Sequence, residues 1–153
     1  MKKENLAALL GFINNQMNIS ERIFQDIINT VPDSPEKVSH LGYLLHNLYC
    51  SLEDIFREVA QTFENQINDP KRYHRELLKR MNYEIPQIRP LILSSKSYVM
   101  LNELRGFRHI FRHAYDYELS VDRLIQLKHK IMDGWESIQQ DIDNFADFIN
   151  KNL

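Results

Sequence analysis

Residues 34–63 read SPEKVSHLGYLLHNLYCSLEDIFREVAQTF, with apolar side chains at Val38, Leu41, Leu45, Leu48, Leu52, Ile55, Val59 and Phe63. The steps are three or four residues, almost strictly alternating, for about seven turns, the spacing that keeps one face of an α-helix apolar. The segment opens on Ser34-Pro35-Glu36. The Ser34 hydroxyl can accept from a first-turn N–H, the Pro35 ring suits the first helical position, and Glu36 sits near the positive end of the helix dipole. A long central helix is the expectation, and with only one apolar stripe it needs other helices to cover it.

The flanking segments supply them. Upstream, Leu6, Leu10, Ile13, Met17, Phe24, Ile27 and Val31 form a second stripe, broken at Pro32-Asp33-Ser34-Pro35. Downstream, Asn68-Asp69-Pro70 repeats the stop-and-cap chemistry and predicts a short helix to about Tyr83, after which Pro86 and Pro90 rule out a continuous helix. Ser94 or Ser95 caps the next helix, which carries Tyr98, Leu101, Leu104, Phe107 and Phe111 to about Tyr115. The last begins near Ser120 and repeats Leu124, Ile131, Ile138 and Phe145 at seven-residue intervals, with Trp135, Ile142 and Ile149 between them. Four Gly and five Pro are few for a sheet protein of 153 residues. The pattern predicts a single all-α domain over residues 1–153, an antiparallel four- to five-helix bundle.

Composition narrows the setting. Cys50 is the one cysteine, so a disulfide within the chain or a thiolate metal cluster is excluded, and a reducing compartment fits. Lys2 and Lys3 precede a short apolar run, but it continues as Asn14-Asn15-Gln16 without a small-residue cleavage site, and no stretch approaches the roughly 20 apolar residues of a membrane span. A cytoplasmic protein without membrane contact is expected. The net charge of −2 conceals a split: residues 71–130 hold 13 Lys or Arg against 6 Asp or Glu, while both flanks are acidic. That asymmetry fits a nucleic-acid surface, and equally fits oppositely charged helices lying side by side.

Residues 103–118 read Glu-Leu-Arg-Gly-Phe-Arg-His-Ile-Phe-Arg-His-Ala-Tyr-Asp-Tyr-Glu. Arg105, Arg108 and Arg112 are spaced i, i+3, i+7 and share a helical face, and a row of guanidiniums is suited to phosphate because each fork donates two hydrogen bonds to its oxygens. His109 and His113 lie among them, and histidine is the side chain best placed to move protons near neutral pH. Together these residues supply what RNA cleavage needs: a base for the 2'-hydroxyl, an acid for the leaving 5'-oxygen and cations for the crowded phosphorane. No metal or other cofactor is formally required.

The stretch Arg108-His109-Ile110-Phe111-Arg112-His113-Ala114-Tyr115 resembles the signature of the HEPN ribonucleases in their HepT-like toxin branch: Arg, four residues, His, one residue, Tyr. His109 fits as well, since that family often carries a polar residue directly after the arginine. With ten Arg, six His and seven Tyr in the chain, about 0.02 accidental matches are expected. The resemblance implies a metal-independent endoribonuclease acting on tRNA or mRNA as the toxin of a type VII-like toxin–antitoxin pair. It implies Arg108 and His113 as catalytic residues, with Arg105, His109 and Arg112 binding substrate. It also implies a minimal nucleotidyltransferase antitoxin as partner, which silences such toxins by AMPylation of the motif tyrosine, here Tyr115. Residues five apart lie about 140° apart around an ideal helix, so Arg108 and His113 do not share a face. HEPN domains resolve this by lining one cleft from two chains, which implies a homodimer.

Plainer readings stand beside these. Arg105 and Arg112 can be solvated charges paired with Glu103 or Asp116. His109 and His113 have a zinc-ligand spacing but lack a third obvious ligand, so no metal site is assigned. His40, His46, His74 and His129 read as partly exposed structural residues, and Cys50 as a small core residue. Glu53 and Asp54 can orient a motif histidine, or simply be surface acids. Phe107, Phe111 and Trp135 read as packing residues. A non-catalytic module that binds a nucleotide or partner within a nucleotidyltransferase complex is the alternative function.

Overall fold

The computed structural model describes residues 2–64, 72–112 and 120–153. It places five helices among them: α1 (Lys3–Asn29), α2 (Pro35–Phe63), α3 (Tyr73–Met81), α4 (Ser95–Arg112) and α5 (Val121–Lys151). The all-α expectation holds, and the caps fall where the sequence puts them. Ser34 Oγ accepts from Lys37 N at 3.3 Å with Pro35 in the first turn, and Ser120 Oγ accepts from Arg123 N at 3.3 Å. The expected cap at Asn68-Asp69-Pro70 lies outside the described residues.

Each of α1 and α4 packs against both α2 and α5, so the four long helices form a ring in the order α1, α2, α4, α5, and α3 leans on α2 and α4. Neighbours run antiparallel. Along α4 and α5, Ser94 meets Asp141, Ser97 meets Ser137 and Glu103 meets Lys130, one number rising as the other falls. The centre of the ring is the stripe of α2: Leu41, Leu45, Leu48, Leu52, Ile55 and Val59 are all buried. Across from it stand Ile131, Ile138 and Ile149 of α5, also buried. Trp135 packs as expected, its ring 4.7 Å from that of Phe24 and its Nε1 donating to Glu21 at 2.6 Å. Among the described residues no helix is long and apolar enough to cross a membrane.

Two details differ from the expectation. Val31 is 57% exposed rather than part of the α1 stripe. Pro32 disfavours helical torsions in the residue before it, so the chain leaves the helix at Asn29 and the stripe ends with Ile27. The buried face of α1 also includes Gln16 and Ser20, which are polar. They are tolerated because Gln16 Nε2 donates to Ser51 O at 3.1 Å and the Ser20 and Ser51 hydroxyls meet at 2.8 Å, so α1 and α2 share a satisfied polar seam.

Between α3 and α4 the chain is irregular, as Pro86 and Pro90 require. Arg89 holds it together, with a fully buried side chain. Its Nη1 donates to Tyr83 O and Pro90 O, and its Nη2 to Arg80 O and to Glu64 at the end of α2, the last at 2.6 Å. Ile92 N and Leu93 N both donate to Met81 O, so the loop folds back onto the end of α3 and delivers Ser94 to the start of α4.

Candidate active site

The start of α4 is fixed by Ser94, whose N–H and hydroxyl both donate to Asp141 of α5, at 2.9 and 2.8 Å, while its Oγ accepts from Ser97 N at 3.4 Å. Leu101, Leu104 and Phe107 then turn inward and are buried. With that face committed to the core, Arg105 and Arg108 lie on its flank, each partly buried.

Neither arginine is used up by the fold. Arg105 Nε donates to Asn102 Oδ1 at 3.0 Å, and Glu103, its suggested partner, pairs instead with Lys130. Arg108 is more unusual: its Nε is sealed from solvent and meets no hydrogen-bond partner among the described residues. A buried guanidinium nitrogen left unpaired costs free energy in the folded protein, which is the condition of a group waiting for an anion.

Both arginines act on Tyr49 of α2, which is fully buried. The Tyr49 hydroxyl also lacks a well-formed hydrogen bond. Burial first, and then the nearby Glu53 carboxylate one turn along α2, push its ionisation far above the ordinary tyrosine value; Arg105 and Arg108 pull the other way and are outweighed. Tyr49 is therefore a neutral hydroxyl within the field of the motif arginines.

Glu53 joins this group to a second one. Its side chain is only 3% exposed, and both carboxylate oxygens lie against His74 Nδ1, at 2.8 and 2.9 Å. Arg57 Nη2 approaches the same carboxylate at 3.4 Å, while its Nη1 pairs with Asp54 at 3.0 Å and its Nε donates to the Tyr73 hydroxyl at 3.2 Å. His74 stands in the first turn of α3. A buried carboxylate of α2 thus fixes a partly exposed imidazole of α3.

Arg105 and Arg108 of α4 both act electrostatically on Tyr49 of α2, which has Glu53 one helical turn along the same helix. The side chains of His109 and Arg112, and the whole of His113 and Tyr115, lie outside the described parts, as does the side chain of Phe111. Sequence reading did not single out Tyr49, and it treated His74 as merely structural. It weighed Glu53 as a residue that orients a histidine, and Glu53 does so, but on His74. A signal for two of these was present: Tyr49 and Glu53 each follow a stripe leucine, Leu48 and Leu52, and are one turn apart, so both sit on the same flank of α2. Cys50 is only partly buried, with Sγ 3.7 Å from His46 Nε2.

A family model described as HepT-like protein matches residues 40–149, from the first turns of α2 to the last of α5. The chain belongs to the HepT-like family. The matched span includes Tyr49, Glu53, His74, Arg105 and Arg108, together with the motif stretch to Tyr115, and leaves α1 outside. The HepT-like family is of HEPN type and generally one of nucleases. Neither the curated proteins nor the solved structures gave a match.

Proposed function

We propose that this HepT-like chain is a metal-independent endoribonuclease, the toxin of a toxin–antitoxin pair. The observation that carries the reading is Arg108, whose Nε is buried and unpartnered beside a tyrosine that stays neutral. A phosphate in the scissile position would satisfy that nitrogen, and the charge that gathers on its oxygens in the transition state would strengthen the bond. His113 removes the proton from the ribose 2'-hydroxyl, while Arg105, His109 and Arg112 hold the flanking phosphates. Cleavage then leaves a 2',3'-cyclic phosphate and a 5'-hydroxyl. Tyr115, two residues beyond His113, is the acceptor for AMP from a nucleotidyltransferase antitoxin. The added phosphate would occupy the ground meant for RNA and neutralise the arginine row.

Arg108→Ala and His113→Ala test the assignment. Each should lose RNA cleavage and growth inhibition by about 100-fold or more while helical content is kept. The melting temperature of Arg108→Ala should change little, because removing a buried, unpartnered Nε offsets the packing lost with the side chain. Cleavage by the unaltered protein should persist in excess chelator. Near-normal cleavage by either variant, or a magnesium-dependent cut leaving a 3'-hydroxyl, overturns the reading, and nucleotide binding without any cleavage favours a non-catalytic module.

A further inference from the structure

Metal-free cleavage of RNA moves two protons, one from the 2'-hydroxyl and one to the departing 5'-oxygen, and a single motif histidine serves one of them at a time. The second group has to lie near the phosphate-binding arginines, present a free nitrogen or oxygen to the substrate, and be held still by the fold. His74, held by Glu53 and partly exposed, is the candidate among the described residues. Glu53 takes up Nδ1 with both carboxylate oxygens, which fixes the tautomer and the ring plane. No described residue is bonded to Nε2, and the side chain is 36% exposed, so the imidazole is reachable from solvent while Nδ1 is held. Glu53 stands one helical turn from Tyr49 on α2, α3 and α4 pack on α2 and on each other, and the charges of Glu53, Arg105 and Arg108 all act on the Tyr49 hydroxyl, so the carboxylate that holds the imidazole shares a neighbourhood with the guanidiniums.

We infer that His74, oriented by Glu53, is the general acid of the ribonuclease reaction, a role that rests on the endoribonuclease reading above. As the 2'-oxygen, deprotonated by His113, attacks phosphorus, the bond from phosphorus to the 5'-oxygen breaks and His74 Nε2–H gives its proton to that oxygen. The neutral imidazole then recovers a proton from water. An imidazole gives up a proton from Nε2 most readily when a carboxylate in direct contact holds Nδ1, the part that Glu53 plays here as a triad carboxylate does for its histidine. The other groups around the ring are Asp54 and Arg57 of α2, the neighbouring Tyr73, whose ring centroid is 5.5 Å away, and Arg105 and Arg108 of α4 beyond Tyr49. Glu53 is a positioning residue and does not touch RNA.

A leaving group that needs no proton separates this role from a structural one. The site cut by the unaltered full-length protein in total cellular RNA is resynthesised as an oligonucleotide, once normally and once with sulfur replacing the bridging 5'-oxygen. His74→Ala should cleave the normal oligonucleotide at least about 100-fold more slowly and the sulfur-bridged one at nearly the unaltered rate. Arg108→Ala should be slow on both. Glu53→Gln should show a weaker form of the His74→Ala pattern, and the alkaline fall of kcat/KM should flatten in His74→Ala. Normal cleavage of the all-oxygen RNA by His74→Ala, or an equal loss on both oligonucleotides, overturns the acid role and leaves the ribonuclease standing. If the unaltered protein cuts neither total RNA nor any oligonucleotide, the ribonuclease reading itself fails, and the acid role with it.

Discussion

Tyr49 is buried, two arginines and a carboxylate act on it, and the balance of those influences keeps its proton on. Burial dominates because an ionised phenolate would lose its water, and Glu53 adds repulsion. The sign of the stability effect follows. Below the unfolded tyrosine value near 10, both folded and unfolded chains carry the proton and pH has no leverage through this group. Above it the unfolded chain gives up the proton and the folded one does not, so stability falls as pH rises, by about 1.4 kcal/mol per pH unit. Urea unfolding between about pH 9 and pH 11 should therefore show a steeper alkaline loss in the unaltered protein than in Tyr49→Phe. Equal slopes would mean that Tyr49 ionises normally. Residues in this site differ in how legible they were. The arginines of α4 declare themselves by spacing along one helix. The pairing of Glu53 with His74 joins two helices across residues 65–71, and no local pattern encodes it.

At the scale of the element, caps and stripes were readable because helix signals act over three or four residues. Ser34, Ser94 and Ser120 each cap as their neighbours suggest. What remained hidden was the connection from α3 to α4, whose shape depends on Arg89, an arginine with nothing in its neighbours to mark it for burial. That connection contains a local conflict. Ile88 N donates to Ile85 O at 2.9 Å around Pro86-Gln87, and Gln87 has φ of 68°. Proline suits the first central position of such a turn, but the second calls for glycine, since a Cβ in the left-handed region costs about 1 kcal/mol. Gln87 is exposed, and among the described residues none is bonded to its side chain to offset the strain. Gln87→Gly should thus raise the free energy of unfolding by up to about 1 kcal/mol, less whatever the unfolded chain gains in freedom. A clear drop in the denaturation midpoint would show that the side chain contributes something the turn needs.

For the whole molecule, the ring of four long helices puts the flank of α4 and the short α3 on the same side of α2, so the proposed site borders several elements rather than one loop. The helical offset between Arg108 and His113 is a reason to expect a second chain, and native mass spectrometry checks both assembly and regulation. The protein alone should appear as a homodimer, and with a partner nucleotidyltransferase and ATP each chain should gain about 329 Da, an AMP less water, which Tyr115→Phe should not. A monomer that still cuts RNA rules out the shared cleft, and an equal gain by Tyr115→Phe moves the modification elsewhere. The other side of the ring has its own use. Trp135, the single tryptophan, is stacked on Phe24 and bonded to Glu21 where α5 meets α1, not where α2, α3 and α4 converge. Its fluorescence is consequently an optical gauge of the scaffold alone: RNA seated on the arginines should leave the emission unchanged, and a spectral shift in any site variant would report a disturbed bundle before activity is even measured.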